Sequence, residues 1–153
     1  MYRKILLAYD GSVEGRRALR EGAMLARLAG AEVVLLAVID LSTGVMMAEG
    51  AGPGAAERQR EAYEAVLAEG AERLAALGLS PAALLEFGDP ASEIIAAARR
   101  SGADLIVVGH RVQGAFARWW GGSVGSSLME NLPCSLLVAH DDVAHDDGGS
   151  GEA

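Results

Sequence analysis

The chain has few of the residues that would indicate a disulfide scaffold, a membrane protein or a nucleic-acid-binding protein. Its 153 residues include a single cysteine, Cys134, so an internal disulfide is excluded. No apolar run is long enough to cross a bilayer. Lys and Arg number 13 against 21 Asp and Glu, and the resulting net charge of −8 argues against a broad basic surface for nucleic acid. We therefore expect neither nucleic acid nor membrane among its partners.

The two ends of the chain carry little that would target it or add to its core. Met1 and Tyr2 lead straight into a short strand-like run, without the apolar region or cleavage site of a signal peptide, so a cytoplasmic location is expected. Residues 141–153 contain five Asp and Glu residues but no Lys or Arg, and this acidic tail is predicted to be disordered. Residues 1–140 remain as one domain of ordinary size.

Short apolar runs alternate with helical patterns along these 140 residues. The predicted strands are Lys4–Ala8, Val33–Ile39, Leu84–Phe87, Leu105–Val108 and Leu136–Ala139. The predicted helices are Val13–Ala29, with Ser12 as N-cap and Gly30 as C-cap, Ala55–Ala76, one that opens at Gly88-Asp89-Pro90, and Ser123–Asn131. Apolar strands joined by helices predict an α/β fold, a doubly wound five-stranded parallel sheet with helices on both faces.

Three segments are expected to converge at one edge of this sheet. Asp10 follows the first strand, Val38 to Asp40 follow the second, and a long loop begins at Gly109 after the fourth. Ligands of doubly wound sheets bind at the carboxyl ends of the strands, where the strand order switches. The topology therefore predicts a ligand site at this edge.

The loop from Gly109 to Ser123 has the composition of an anion-binding segment. It contains glycines, Arg111 and Arg118, and it closes on Gly122-Ser123 at the start of a predicted helix. Exposed backbone N–H groups, a hydroxyl and a helix N-terminus together suit a phosphate group. The spacing matches neither a Walker loop nor the dinucleotide fingerprint, so a long structural loop is the alternative.

Several motifs resemble those of the universal stress protein family, over Tyr2 to His140. They are Ile5-Leu6-Leu7-Ala8-Tyr9-Asp10-Gly11-Ser12, Gly88-Asp89-Pro90, Ala103-Asp104-Leu105-Ile106-Val107-Val108-Gly109, Gly122-Ser123-Val124 and Pro133-Cys134-Ser135-Leu136-Leu137-Val138. The resemblance implies a Rossmann-like sheet with strand order 3-2-1-4-5 and a homodimer formed through the last strand. It also implies that the protein either binds ATP or belongs to the branch that does not.

The resemblance assigns roles to individual residues of an adenine-nucleotide site. The family's pattern Gly-x2-Gly-x9-Gly-Ser/Thr matches Gly109 and Gly122-Ser123, but its second glycine falls on Val112, with Gly114 two residues further on as the alternative. A β-branched residue avoids positive φ, so Val112 is a departure from the pattern. The nucleotide-binding residues implied are Ala8, Asp10, Val38, Val108, Gly109, Arg111, Gly122, Ser123 and Val124.

Two functions follow as alternatives. The first is a regulatory or stress-response protein that binds ATP or a related adenine nucleotide, with Mg²⁺ as a candidate companion ion. The second is a dimeric interaction module without nucleotide. The sequence offers no nucleophile–base pair, no set of metal-ligating residues at a suitable spacing and no paired acids at a strand end, so we do not expect an enzyme, although slow hydrolysis of the nucleotide is not excluded.

Overall fold

The computed structural model describes residues 1–40, 52–109 and 131–140. Its strands are β1 (Lys4–Ala8), β2 (Glu32–Asp40), β3 (Ala82–Gly88), β4 (Leu105–Gly109) and β5 (Ser135–Ala139). Its helices are α1 (Val13–Ala29), α2 (Ala55–Ala76) and α3 (Pro90–Ser101). The predicted helix Ser123–Asn131, apart from its last residue, and the acidic tail lie outside the described residues.

The strands form one sheet in the order β3-β2-β1-β4-β5, and every neighbouring pair is parallel. This confirms the predicted strand order. In the centre of the sheet Leu7 lies between Leu35 of β2 and Val107 of β4. Because helices cover both faces, the central strands are apolar at nearly every position, and four of the five residues of β1 are buried.

The core has two layers, one on each face of the sheet. Helices α1 and α2 pack on one face, against side chains that include Ile5, Leu7, Leu35, Leu105 and Val107. Helix α3 packs on the other face, against side chains that include Leu6, Ala8, Leu36, Ile106 and Val108. Successive side chains of a strand point to opposite faces of the sheet. Alternate residues of each strand therefore belong to the layer under α1 and α2 or to the layer under α3. Within the described residues, no helix is long and apolar enough to cross a membrane.

The ends of α1 are set by the two residues that the sequence indicates. The Ser12 hydroxyl accepts a hydrogen bond from the Gly15 N–H at 2.9 Å, which satisfies one of the free donors of the first turn. Gly30 ends the helix with φ of 64°, a left-handed conformation that costs glycine little. Both predicted caps are confirmed.

The strands extend beyond several of the predicted bounds. Strand β2 includes Glu32 and Asp40 at its ends, and β3 runs over Ala82–Gly88 instead of Leu84–Phe87. These added residues pair with neighbours through the backbone, and Asp40 lies opposite Gly88. Apolar patterning underestimates such ends, because a strand residue can pair fully while its side chain stays exposed.

Candidate functional site

The carboxyl ends of β1, β2 and β4 meet at one edge of the sheet, as the topology predicts. Ala8 lies opposite Leu36, and the Tyr9 N–H donates to the Leu36 carbonyl at 2.9 Å. If this register is continued by two residues, Asp10 comes level with Val38. The strand order switches at β1, because β2 lies on one side of it and β4 on the other. The predicted residues of β1 and β2 are thus neighbours at the switch point.

The Asp10 carboxylate is held in place by the start of α1. Its Oδ1 accepts hydrogen bonds from the Ser12 N–H at 2.9 Å and from the Ser12 hydroxyl. That hydroxyl in turn accepts from the Gly15 N–H, so strand end, turn and helix form one hydrogen-bonded unit. Within the described residues, these hydrogen bonds reach the carboxylate only at Oδ1, so Oδ2 is available to accept a bond from a ligand. The structure fixes the direction of this acceptor in advance.

Ala8, Val38 and Val108 form an apolar patch beside Asp10. All three belong to the cluster on the α3 face of the sheet, where Leu36, two residues before Val38, lies opposite Ala8. Ala8 is 6% exposed and Val108 is fully buried, whereas Val38 is only partly buried. A ligand on this face would therefore meet Val38 first, with Val108 in the layer of side chains that supports it.

Gly109 has a packing role that the sequence does not reveal. A Cβ at this position would lie 2.9 Å from the Glu14 carbonyl oxygen and 3.1 Å from the Gly15 nitrogen. Both are backbone atoms of the first turn of α1, so no side-chain rotation would relieve the contact. The absence of a side chain lets α1 lie directly against the end of β4. This glycine is explained without any phosphate.

Tyr63 of α2 is a candidate neighbour of the site that the sequence pattern does not single out. Burial, and to a lesser extent the negative charges of Asp10 and Asp40, raise the pKa of its phenol, so Tyr63 is a neutral hydrogen-bond donor near two carboxylates. Val66, one turn further along α2, lies close to Gly11, with 3.2 Å between its Cγ2 and a Cβ placed on that glycine. Periodicity marks Tyr63 only as part of the apolar side of its helix.

A polar network beside the site ties the two helices to β1. The Tyr9 hydroxyl donates to Glu69 Oε2 at 2.7 Å. Arg73 Nε donates to Glu69 Oε1 at 2.6 Å, and Arg16 Nη2 lies 3.4 Å from the same oxygen. Burial, followed by the bond to Glu69, raises the pKa of Tyr9, while the Tyr9 hydroxyl is the main cause of a lowered Glu69 pKa. The network therefore fixes the residue that precedes Asp10.

The phosphate-binding half of the predicted site lies outside the described residues. This applies to Arg111, Gly122, Ser123 and Val124, and also to Val112 and Gly114. Their roles stay predictions. Within the three described ranges, no group of three or more His, Cys, Asp or Glu side chains is placed to hold a metal ion.

The order of the strands and the position of the anchored carboxylate define the class of this protein. A parallel sheet in the order β3-β2-β1-β4-β5, with helices on both faces, is a doubly wound α/β domain of the Rossmann-like type. The sequence model of the universal stress protein family matches residues 1–140. The chain therefore belongs to the universal stress protein family.

Individual relatives match most of their own length. A universal stress protein of Thermus aquaticus is 34% identical over 138 residues, covering 90% of this chain and 98% of the relative. One from Methanocaldococcus jannaschii is 30% identical over 139 residues, covering 90% of this chain and 82% of the relative. The crystal structure of a family member from Burkholderia pseudomallei is 30% identical, with a TM-score of 0.67 over 90% of this chain and 95% of that one.

Other solved structures of this fold contain adenine nucleotides. They include a universal stress protein in complex with cAMP, at 22% identity, with a TM-score of 0.65 over 91% of this chain and 97% of that one. A family protein from Arabidopsis thaliana holds AMP, at 19% identity, with a TM-score of 0.61 over 94% of each chain. At these identities, the likeness to this chain is one of fold.

Proposed function

We propose that this universal stress protein binds an adenine nucleotide at the carboxyl ends of β1, β2 and β4, with ATP as the first choice. Its role would be regulatory, in the cytoplasm, without efficient turnover. One observation carries the proposal: Asp10 is anchored through Oδ1 at the switch point, beside the partly exposed Val38. A directed acceptor next to an apolar surface suits a ribose and its base.

The described residues suggest how the nucleoside would be held. Asp10 Oδ2 would accept a hydrogen bond from a ribose hydroxyl, and Val38 would contact the adenine ring, supported by Ala8 and Val108. The neutral phenol of Tyr63 would add a donor near the same carboxylate. An acceptor that is already fixed loses little conformational freedom when the ligand binds, and this favours affinity.

The phosphates would extend from the end of β4 into the segment that follows it. We propose that the backbone N–H groups of Gly109, Gly122, Ser123 and Val124, with the Ser123 hydroxyl, hold them, and that Arg111 adds charge. A Mg²⁺ ion is the candidate companion of a triphosphate. The bound cAMP and AMP of other family structures support the adenine nucleoside in this proposal but leave the number of phosphates open.

The second candidate function is a dimeric interaction module that binds no nucleotide. Two observations favour it. Gly109 is accounted for by its contact with the backbone of α1, so it is not independent support for a phosphate loop. The second glycine of the family's pattern is replaced by Val112. A protein that binds no adenine nucleotide at millimolar concentration would have this second function.

Both functions are compatible with a homodimer formed through β5. Among the described strands, β5 pairs with β4 on one side and is the last strand of the sheet on the other, and we propose that a second copy pairs with this edge. An antiparallel pairing of two such edges would close with two-fold symmetry. Light scattering at micromolar concentration tests this, and a monomer alone would exclude it.

Calorimetry on a pair of matched variants tests the nucleotide site. Asp10→Asn keeps the size of the side chain and can still accept from Ser12, but it puts an amide in place of Oδ2. We expect ATP and AMP affinity to fall by about 1–3 kcal/mol, because the ribose hydroxyl loses its hydrogen bond to a charged acceptor. Asp104→Asn is the control, because Asp104 also accepts backbone N–H groups, from Arg3 at 2.8 Å and Lys4 at 3.1 Å, but at the opposite edge of the sheet.

The two variants separate loss of binding from loss of structure. The control should weaken the fold and leave nucleotide affinity unchanged, whereas Asp10→Asn should weaken affinity. Equal affinity in wild type and Asp10→Asn would remove Asp10 from the site and with it the proposed placement of the nucleoside.

A further inference from the structure

A basic groove lies on the outer surface between α1 and α2, on the helical layer opposite α3. Its volume is about 890 Å³, and its lining includes Arg16, Arg17 and Arg20 of α1 and Arg73 of α2. Four arginines in one groove are unexpected in a chain whose net charge is −8. Nothing in the proposed nucleotide site uses them for a ligand.

Within the described ranges, two carboxylates form ion pairs with the arginines of this groove. Glu21 pairs with Arg17 at 3.5 Å, and Glu69 serves both Arg16 and Arg73. Arg20 is exposed, and no ion pair is found for it within the described residues. The lining of the groove thus has a net positive charge, and Arg20 is the one of its four arginines without an ion pair in the part of the chain that the structure describes.

We propose that the acidic tail of the same chain, residues 141–153, occupies this basic groove. The tail carries Asp141, Asp142, Asp146, Asp147 and Glu152 without a single Lys or Arg, so its charge is complementary to the groove. A segment that cannot build a core of its own can still be held on a surface by its charges.

The position of β5 brings the tail to the groove. Ala139, the last residue of β5, pairs with Gly109 of β4. Gly109 lies directly against Glu14 and Gly15, in the first turn of α1, where a Cβ would be 2.9 Å from the Glu14 carbonyl oxygen. The chain therefore leaves the sheet within about two strand spacings, roughly 10 Å, of the helix that forms one wall of the groove.

The length of the tail is sufficient to follow the groove. Thirteen extended residues span about 43 Å. The groove wall from Val13 to Met24 rises by about 17 Å along α1. The remaining length allows the tail to pass the N-terminal end of α1, whose diameter is about 10 Å.

Tethering favours the chain's own tail over a separate acidic partner. A short flexible tether holds a segment at an effective concentration of about millimolar, which a free protein rarely reaches in solution. Each exposed ion pair strengthens the association only about 1.5- to 5-fold, and salt screens it. The contact is therefore reversible, and a more highly charged anion could displace the tail from the arginines.

Paramagnetic relaxation on the full chain tests this placement. A nitroxide is attached at Ser150→Cys in a Cys134→Ala background, and the amide signals of ¹⁵N-labelled protein are recorded. We expect selective broadening along α1 from Arg16 to Met24 and at the facing end of α2. The broadening should disappear at high salt and when the four tail aspartates are replaced by Asn. Neither change affects a residue of the described fold.

Two groove variants and a mixing experiment complete the test. Arg20→Gln should reduce the broadening at least twofold, whereas Arg27→Gln, an exposed arginine of the same helix outside the groove, should leave it unchanged. Uniform weak broadening over the whole surface, or equal effects of both variants, would overturn the proposal. Broadening that persists when the nitroxide and the ¹⁵N label are on different molecules would assign the groove to a second copy and overturn it as well.

Discussion

Replacing Gly109 with alanine separates the two roles that a glycine at the end of β4 can have. The new Cβ would lie 2.9 Å from the Glu14 carbonyl oxygen and 3.1 Å from the Gly15 nitrogen, whereas ordinary contacts begin at 3.4 Å. The first turn of α1 would have to move away by about half an ångström. Since α1 packs on β1 and β4 over its length, that movement loosens a large, well-packed contact.

We expect Gly109→Ala to lower the free energy of unfolding of the nucleotide-free protein by about 1–3 kcal/mol, as overpacked cores do. Urea denaturation followed by circular dichroism measures this. Gly102→Ala is the control, because Gly102 has φ of 70° and open space around it, so it reports a backbone cost of about 1–2 kcal/mol without any clash.

The ligand-binding data decide what the stability data mean. If Gly109 serves to let α1 pack against β4, Gly109→Ala destabilises the protein whether or not a nucleotide is present. The control Gly102→Ala leaves nucleotide affinity unchanged. A Gly109→Ala protein that is as stable as wild type within about 0.5 kcal/mol, yet no longer binds nucleotide, would refute the packing account and make Gly109 a phosphate-contacting residue.

Three further predictions concern the polar groups and the loop. Tyr9→Phe removes the hydroxyl that donates to Glu69 and should cost about 0.5–1.5 kcal/mol in urea unfolding, with no loss if the bond is absent in solution. Backbone N–H groups hold the pKa of Asp104 below its ordinary value of 3.8. The contribution of Asp104 to the free energy of unfolding is therefore complete above that value and is lost as the pH falls through the lowered pKa. Acid unfolding of Asp104→Asn should lack this loss of stability. Val112→Gly should tighten the binding of ATP more than that of AMP. If Gly114 instead serves as the second glycine of the pattern, Gly114→Val should abolish the preference for ATP. An unchanged ratio of ATP to AMP affinity in both variants would mean that the loop does not bind phosphates.

Local signals predicted the three described helices well, and the family resemblance supplied the order of the strands. The bounds of α1 were predictable because a capping serine, an amphipathic repeat and a C-terminal glycine all lie within the segment itself. The bounds of β3 were not, because it is an edge strand whose first two residues are exposed, and exposure removes the apolar signal. Backbone pairing, rather than side-chain pattern, determines where such a strand ends.

The candidate site was predictable only in part, and the difference lies in contacts between distant parts of the chain. Asp10 and Val38 could be placed because each lies within two residues of the end of a recognisable strand. The contact of Gly109 with Glu14 joins residues that are far apart in sequence, so no local pattern shows it. Tyr63 fits an apolar helix face equally well, and only the packing of α2 brings its phenol near Asp10 and Asp40.

The central claim is that an adenine nucleotide binds where β1, β2 and β4 end, and an amide chemical-shift titration with ATP and with AMP tests it most directly. The account predicts saturable shifts at Asp10, Ser12 and Asp40, with the signals of Lys4 and Asp104 at the opposite edge unchanged. No shifts at millimolar nucleotide, or shifts confined to the arginines of the basic groove, would contradict it.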